Sequence, residues 1–173
     1  MRMTGMHAMD DDNDPLRPRP TQDTRGFYML PQAPMDSGYY VYGNLYGKSA
    51  KGAYQYPHPI MMTAILRVAM EWQTRDKRRI GIGDISLAGG GKPPDHDSHM
   101  SGLDVDVRPL RKDGLEQQVF WWDREYDKEG TEKLIELFRT FAPVVLVLFN
   151  GPDIPFVKRA KNHDHHFHVK LRG

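Results

Sequence analysis

Residues 96–107 read HDSHMSGLDVDV, and residues 163–169 read HDHHFHV. The two segments hold six of the eight histidines of this 173-residue chain. Each segment ends in alternating apolar and polar residues, which predicts a β-strand with one buried face. If the two strands are neighbours in one sheet, their histidines and carboxylates meet on the same face of that sheet.

The first of these strands, residues 103–107, has one apolar and one polar face. Leu103, Val105 and Val107 share a face because successive side chains of a strand point to opposite sides. Asp104 and Asp106 therefore point to the other face.

The strand at the end of the chain has the same arrangement. Phe167 and Val169 face the core, so His166 and His168 share the opposite face. His99 lies in the loop that enters the first strand and can bend over that face. Imidazole and carboxylate groups from separate segments are typical of a metal site, and the lack of cysteine excludes thiolate ligands. Two histidines and one aspartate leave an ion one open position, as catalytic zinc sites do.

Two helices are predicted. The first begins after Pro57-His58-Pro59, and its apolar stripe has helical spacing. The second opens at Gly130-Thr131, with Thr131 as its N-cap, and ends at Pro143. The stripe of the first helix consists of Met61, Ile65, Val68 and Trp72.

Further apolar runs predict more strands. Ile80–Leu87 indicates one strand, and the tyrosine- and glycine-rich residues 38–56 suit short strands and turns. The almost wholly apolar run Val144–Phe149 is typical of a central strand. We therefore expect an α+β domain with a small, mainly antiparallel sheet, helices packed on one side and the metal cleft on the opposite face.

The bulk composition is that of one compact domain. There are 24 Lys and Arg residues against 23 Asp and Glu, so we expect no nucleic-acid partner. No apolar run has transmembrane length, and we expect no membrane insertion. Residues 1–25 are rich in aspartate and proline and lack the apolar middle of a signal peptide. We expect them to form a flexible polar arm ahead of a domain of residues 26–173.

The motifs of these segments resemble those of a known superfamily. His99 and Asp106 match a His-x6-Asp motif, and His166-Phe167-His168 matches a His-x-His motif. Together they resemble the zinc peptidases that include lysostaphin, D-Ala-D-Ala metallopeptidases and hedgehog domains. Within that superfamily the chain most resembles the penicillin-insensitive murein endopeptidases, over about residues 38–172. Ile82-Gly83-Asp84-Ile85-Ser86 supports this resemblance.

The resemblance implies the cofactor and its ligands. It makes His99, Asp106 and His168 the ligands of one zinc ion. A second ion is not expected, because the acidic residues between the two motifs have no histidine among them. Those residues are Asp123, Glu125 and Asp127.

The resemblance also implies the catalytic residues. His166 takes the proton of a metal-activated water or holds the tetrahedral oxyanion, and the sequence does not separate these roles. His163 hydrogen-bonds the oxyanion or donates a proton to the leaving amine. His96 matches a further active-site histidine, near the substrate or behind the ligands. Asp104, which shares a strand face with Asp106, is expected to accept the N–H of a ligand imidazole.

The implied activity is that of a zinc D,D-endopeptidase, which hydrolyses peptidoglycan cross-links between D-alanine and diaminopimelate. The expected partners are the peptide stems of peptidoglycan, and the expected place is the periplasm or the cell wall. Because no signal peptide is visible, the expected routes are non-classical export, delivery as an effector, release as a phage lysin, or a leader already removed. An effector would have an inhibitory immunity protein as a partner.

Three alternatives stay open. A carboxypeptidase or dipeptidase on the same fold needs a basic residue for a free carboxylate, and Lys92, Arg108 and Arg111 are candidates. A zinc-binding recognition module without turnover is disfavoured by the presence of His166. An iron oxygenase with two histidines and one carboxylate is disfavoured by spacing, because its acid follows the first histidine closely.

Overall fold

A computed structural model describes residues 19–32, 36–45, 48–49, 52–94 and 96–173. Nine elements follow one another along the chain, and together they form the expected α+β fold. The helices are α1 (Pro59–Gln73) and α2 (Lys128–Phe141). The strands are β1 (Tyr39–Val41), β2 (Asn44–Leu45), β3 (Lys48–Ser49), β4 (Ile80–Ile82), β5 (Asp104–Val107), β6 (Val144–Leu148) and β7 (Phe167–Leu171).

The main sheet has five strands in the order β1-β4-β5-β7-β6. Only the β1–β4 pair is parallel, so the sheet is mainly antiparallel, as predicted. Strands β2 and β3 form a separate antiparallel pair. Strands β5 and β7 are neighbours, with Val105 opposite Val169 and Asp106 opposite His168. The two histidine-containing segments therefore meet in the middle of one sheet.

The helices cover the apolar face of this sheet. All four residues of the predicted stripe of α1 are buried, which confirms that helix. Helix α2 packs against α1, and its Phe138 ring lies edge-on to Phe167 of β7 at 6.2 Å between centroids. Val105 and Val107 of β5 are completely buried in the same cluster. The polar residues of β5 and β7 consequently occupy the face that points away from this core.

The prediction of a strand from Ile80 to Leu87 is wrong beyond Ile82. Strand β4 ends at Ile82, Gly83 and Asp84 still form backbone hydrogen bonds with Asp106, and the chain then turns away: the N–H groups of Ile85 and Ser86 both donate to the carbonyl of Tyr54. A single parallel bridge then joins Gln55 to Ser86. The apolar residues after Ile82 thus fill the core from a loop, a choice that alternation alone does not reveal.

The prediction of a central strand at Val144–Phe149 is also wrong in position. Strand β6 forms an edge of the sheet, and Val145 is 48% exposed. Beyond this edge the segment at Lys158 donates to the carbonyl of Val147 and accepts from the N–H of Phe149. This partial cover explains how an apolar strand is tolerated at a sheet edge.

Helix α2 begins at Lys128, and its N-cap is Asp127, four residues before the predicted cap Thr131. The Asp127 carboxylate accepts from the N–H of Gly130 at 3.0 Å, as N-cap side chains do. Thr131, the predicted cap, lies inside the first turn and accepts from the N–H of Leu110. The other carboxylate oxygen of Asp127 pairs with Arg78 at 2.7 Å.

The described part of the predicted arm, residues 19–25, contacts the rest of the chain, whereas residues 1–18 lie outside the described residues. The guanidinium of Arg25 donates to the carbonyls of Leu87 and Met100 and to the Ser86 hydroxyl, at 2.8, 2.9 and 3.0 Å. Asp23 holds this guanidinium at 2.8 Å. The division of the chain at residue 25 stays a prediction. Within the described ranges, neither helix has the length and apolar character that crossing a membrane requires.

We expect Asp127→Ala to lower the free energy of unfolding by about 1–2 kcal/mol, because it removes an N-cap and an ion pair together. Asp127→Asn should cost less, since asparagine caps a helix equally well and only the pair with Arg78 is weakened. Urea unfolding of both variants measures the difference. Equal losses in the two variants would show that the cap contributes nothing.

Candidate metal centre

The pairing of β5 with β7 builds the centre of the site. Because residues directly opposite one another share a face, Asp106 and His168 lie side by side on the polar face. Asp104 and Lys170 form the next pair on that face. Asp104, Asp106 and His168 are nevertheless buried, each at 5% exposure or less. A cluster of buried ionisable groups of this kind needs mutual partners.

Asp106 is the point at which three histidines converge. Its Oδ1 atom lies 3.1 Å from Nδ1 of His168 and 3.4 Å from Nε2 of His99. Nε2 of His166 lies 3.7 Å from the same oxygen. The structure thus brings the three predicted metal ligands, His99, Asp106 and His168, into one contact group.

The backbone orients His99 from behind. Its residue has a φ of 65°, a left-handed conformation that is uncommon outside glycine. Its ring is 1% exposed, and Nδ1–H donates to the carbonyl of Ile85 at 3.0 Å. This bond turns Nε2 of the ring toward Asp106. A ligand histidine held by a backbone carbonyl is a common arrangement in metal sites.

A carboxylate orients His168 in the same manner. Nε2 of His168 lies 3.0 Å from Oδ1 of Asp104, on the side of the ring away from Asp106. This is the contact that the prediction for Asp104 requires. The roles of these residues toward a metal stay predictions.

His96 lies closer to the centre than its predicted role requires. Its ring centroid is 4.4 Å from that of His99. Ligand-capable atoms of His96, His99 and Asp106 all lie within 4.8 Å of one another, and in the described part of the chain this trio is the one group with metal-site spacing. His168 contacts Asp106 but stands outside this trio.

The loop before β7 places His163 and His166 beside this group. The His163 ring lies 4.8 Å from that of His166 and 5.9 Å from that of His168. Nδ1 of His163 donates to the carbonyl of Lys161 at 2.7 Å. Asp164 anchors the loop, because its carboxylate accepts from Nε1 of Trp121 at 3.1 Å and from Nδ2 of Asn150 at 2.9 Å.

Asp84 is a site residue that the sequence analysis missed. Its Oδ2 atom lies 2.9 Å from Nε2 of His96, and its side chain is 13% exposed. The backbone N–H of Asp106 donates to the carbonyl of Asp84 at 3.0 Å. The prediction of a strand over Ile80–Leu87 is the reason, because in an alternating strand Asp84 is one polar position with no special role.

The environments of His166 and His168 shift their pKa values in opposite directions. Burial disfavours the charged form of His168, but the hydrogen bonds that its ring donates to Asp104 and Asp106 outweigh burial and raise its pKa to about 9. Burial dominates at His166 and lowers its pKa to about 4. Burial likewise lowers the pKa of His163. Burial alone would raise the pKa of Asp106, yet the surrounding histidines, His99 first, hold it well below its usual value.

Two further carboxyl pKa values depend on the histidines. At Asp104, burial is opposed by the hydrogen bond to His168 and the pKa is lowered. At Asp84, burial prevails over the hydrogen bond to His96, and the charge of Asp106 adds to the rise in pKa. At neutral pH the group thus combines anionic carboxylates with neutral imidazoles at His163 and His166.

The donor set fits a divalent ion with a preference for nitrogen and oxygen ligands. Imidazole nitrogens and one carboxylate are what catalytic zinc sites use. His99 is bound from behind by the carbonyl of Ile85, and His168 by the carboxylate of Asp104. Both kinds of partner are typical behind histidines that bind a metal. One buried oxygen, Oδ1 of Asp84, has no hydrogen-bond partner among the described residues. The arrangement can therefore hold a metal beside two neutral histidines.

Comparison with known proteins adds one finding. A family model described as penicillin-insensitive murein endopeptidase matches residues 47–136, just over half of the chain. The matched range includes Asp84, His96, His99, Asp104 and Asp106, and it ends before β7. No curated protein matches the chain.

In the metal-free protein we expect stability to fall as pH rises from 6.5 to about 9. The pKa of His168 is raised from 6.5 to about 9, so its stabilising contribution is fully present below 6.5 and is lost through this window. The loss should reach up to about 3 kcal/mol in urea unfolding. His166 titrates on the other side of 6.5 and does not interfere.

Asp104→Asn provides the control for this pH dependence. The amide removes one of the two carboxylates that raise the pKa of His168, so the slope of stability against pH should flatten. NMR titration of the His168 ring measures the pKa directly. A wild-type stability that is constant across this window would contradict the assignment.

Proposed function

This chain belongs to the penicillin-insensitive murein endopeptidase family, and from that premise we propose that it is a zinc-dependent D,D-endopeptidase. Its substrate in this proposal is cross-linked peptidoglycan, cleaved between D-alanine and diaminopimelate. Its partners are the peptide stems of peptidoglycan, and it acts at the cell wall or in the periplasm. The export route and an immunity protein stay predictions.

One observation carries this proposal. Asp106 contacts His99, His166 and His168 on the face of the sheet that points away from the core. The contacts with His166 and His168 join the two motifs that suggested the family, although a long stretch of chain separates those motifs. His166 supports a functional reading of this group, because perturbed pKa values cluster at functional sites and burial lowers the pKa of His166 to about 4.

We assign His99, Asp106 and His168 as the zinc ligands, with His96 close enough to approach the same ion. Zinc bound there would lower the pKa of a water molecule and polarise the scissile carbonyl. Asp104 and the carbonyl of Ile85 would hold the ligand rings in place from behind. Loading the site requires His168 to lose the proton that its raised pKa retains.

The remaining histidines supply proton transfer. His166 is neutral at physiological pH because burial lowers its pKa, so it is able to accept a proton or to donate its N–H to an oxyanion. His163 is neutral for the same reason, and its Nδ1–H is engaged by the carbonyl of Lys161. Its other nitrogen, Nε2, is therefore an acceptor in the neutral ring, and it would have to gain a proton before it could donate to an oxyanion or to the leaving amine.

A D,D-carboxypeptidase is the second candidate, and Arg108 favours it. Arg108 follows Asp106 by two residues, directly after β5, and its guanidinium lies 4.1 Å from the centroid of the Tyr42 ring. A cation near the polar face would suit the terminal carboxylate of a peptide. Arg108 donates to the carbonyl of Glu116 at 3.0 Å, whereas the other two candidate cations form ion pairs, Arg111 with Asp113 and Lys92 with Asp97.

The test is digestion of purified, cross-linked diaminopimelate-type peptidoglycan, with products identified by mass spectrometry. We expect the wild type to convert cross-linked dimers to monomers, and a zinc chelator to abolish this. His166→Ala should reduce the rate by about 10²–10⁴-fold, the usual contribution of a general acid or base. His58→Ala is the matched control, because His58 caps α1 and does not contact Asp106.

The products decide between the candidates. Intact dimers that lose a terminal D-alanine would point to the carboxypeptidase. Zinc bound at one ion per chain without any change in the peptidoglycan would contradict both enzymes and leave a binding module. Full activity of His166→Ala would remove His166 from the mechanism while leaving the peptidase itself intact.

A further inference from the structure

Asp84 lies behind His96 in the way that Asp104 lies behind His168. Oδ2 of Asp84 is 2.9 Å from Nε2 of His96, and the Asp84 carbonyl accepts from the N–H of Asp106. Asp84 therefore contacts two members of the metal-capable trio, His96 through its side chain and Asp106 through its backbone. A carboxylate in this place fixes the ring orientation of its histidine and the tautomer.

We propose that Asp84 is a positioning residue that orients His96 toward the His99–Asp106 pair, with the Tyr42 hydroxyl linked to its second oxygen through one water. The inference rests on the proposed metal site and extends it to residues that its ligand set does not include. It assigns His96 to the ion as well as to the substrate side of the cleft.

Tyr42, the residue directly after β1, supports the proposal. A Cβ atom on Gly83 would lie 2.6 Å from Cζ and 2.8 Å from the hydroxyl of Tyr42, so the Tyr42 phenol packs directly on the residue before Asp84. Its hydroxyl and Oδ1 of Asp84 are both buried, and neither has a hydrogen-bond partner within the described residues. One is a donor and the other an acceptor, and buried polar groups in folded proteins are nearly always paired.

The alternative is that Asp84 and His96 form an ion pair with a purely structural role, which only ties the loop of His96 to the sheet. Such a pair would stabilise the fold without affecting the ion. The loop has another tether in Arg25, which binds the carbonyl of Met100 at 2.9 Å. Loss of Asp84 is therefore expected to change the geometry at His96 more than the stability of the domain.

The experiment is a double-mutant cycle on zinc affinity, measured by competition with a chelator in the full chain. We expect Asp84→Asn to weaken zinc binding by about 10–100-fold, the usual effect of losing a carboxylate behind a ligand histidine. His96→Ala should weaken it to a similar extent. In the His96→Ala background, Asp84→Asn should then have no further effect, because it acts through the missing ring.

NMR of the metal-free protein gives a readout that a structural role would not move. In the wild type, the His96 ring should carry its proton on Nε2, hydrogen-bonded to Asp84, and Asp84→Asn should shift the tautomer equilibrium. Asp97→Asn is the matched control, since Asp97 follows His96 directly and is fully exposed. It should leave both the affinity and the tautomer unchanged.

Tyr42→Phe tests the second part of the proposal. If the hydroxyl is linked to Asp84 through one water, the variant should melt at a lower temperature and bind zinc more weakly than the wild type. A higher melting temperature would show a hydroxyl buried without a partner and would overturn that part.

The outcomes separate this inference from the proposed function. Losses that add in the cycle, or an unchanged affinity in Asp84→Asn, would overturn the positioning role whatever the enzyme does to peptidoglycan. Zinc binding with a non-additive cycle but no cleavage would contradict the proposed function and leave the positioning role in place. A wild-type protein that binds no zinc would overturn both.

Discussion

The register between β5 and β7 is the constraint on which the site depends. With Asp106 opposite His168, the carboxylate of one strand and the imidazole of the other share a face. A shift of one residue would turn both polar side chains into the core and bring Val105 and Val107 to the opposite face of the sheet. Burial of the apolar residues therefore fixes the register, and the register determines which polar side chains lie together. The stability of the core and the geometry of the site are in this sense one property.

The burial of the polar group has a cost that its members offset among themselves. Asp106 at 5% exposure is anionic only because the histidines around it are close. His168 retains its proton to higher pH because two carboxylates flank its ring. Burial has the largest effect on His166 and lowers its pKa to about 4, so its ring is neutral instead. Neighbouring histidines thus differ in tendency: one keeps its proton above neutral pH and the other loses it well below.

Periodicity predicted the parts of this molecule in which one face is apolar. The stripe of α1 and the alternation in β5 and β7 were sufficient, because in each the sheet or helix period decides which side is buried. It failed where long-range contacts decide. The apolar run of β6 lies at an edge covered by a later loop, and the loop after Ile82 leaves the sheet to pair with Gln55. Because of the second failure the sequence analysis missed Asp84, whose contact with His96 depends on how the loop of His96 folds.

The attachment of Arg25 to the loop that carries His99 has a thermodynamic consequence. Its guanidinium joins the segment before β1 to the carbonyl of Met100, the residue after His99. The order of the two segments is therefore coupled, and such coupling is reciprocal. If an ion restrained His99, the backbone amides around Arg25 would exchange more slowly with solvent, and a molecule that pulled the N-terminal segment away would weaken ion binding by the same factor. The first described residues would then affect ion binding without contacting the ion.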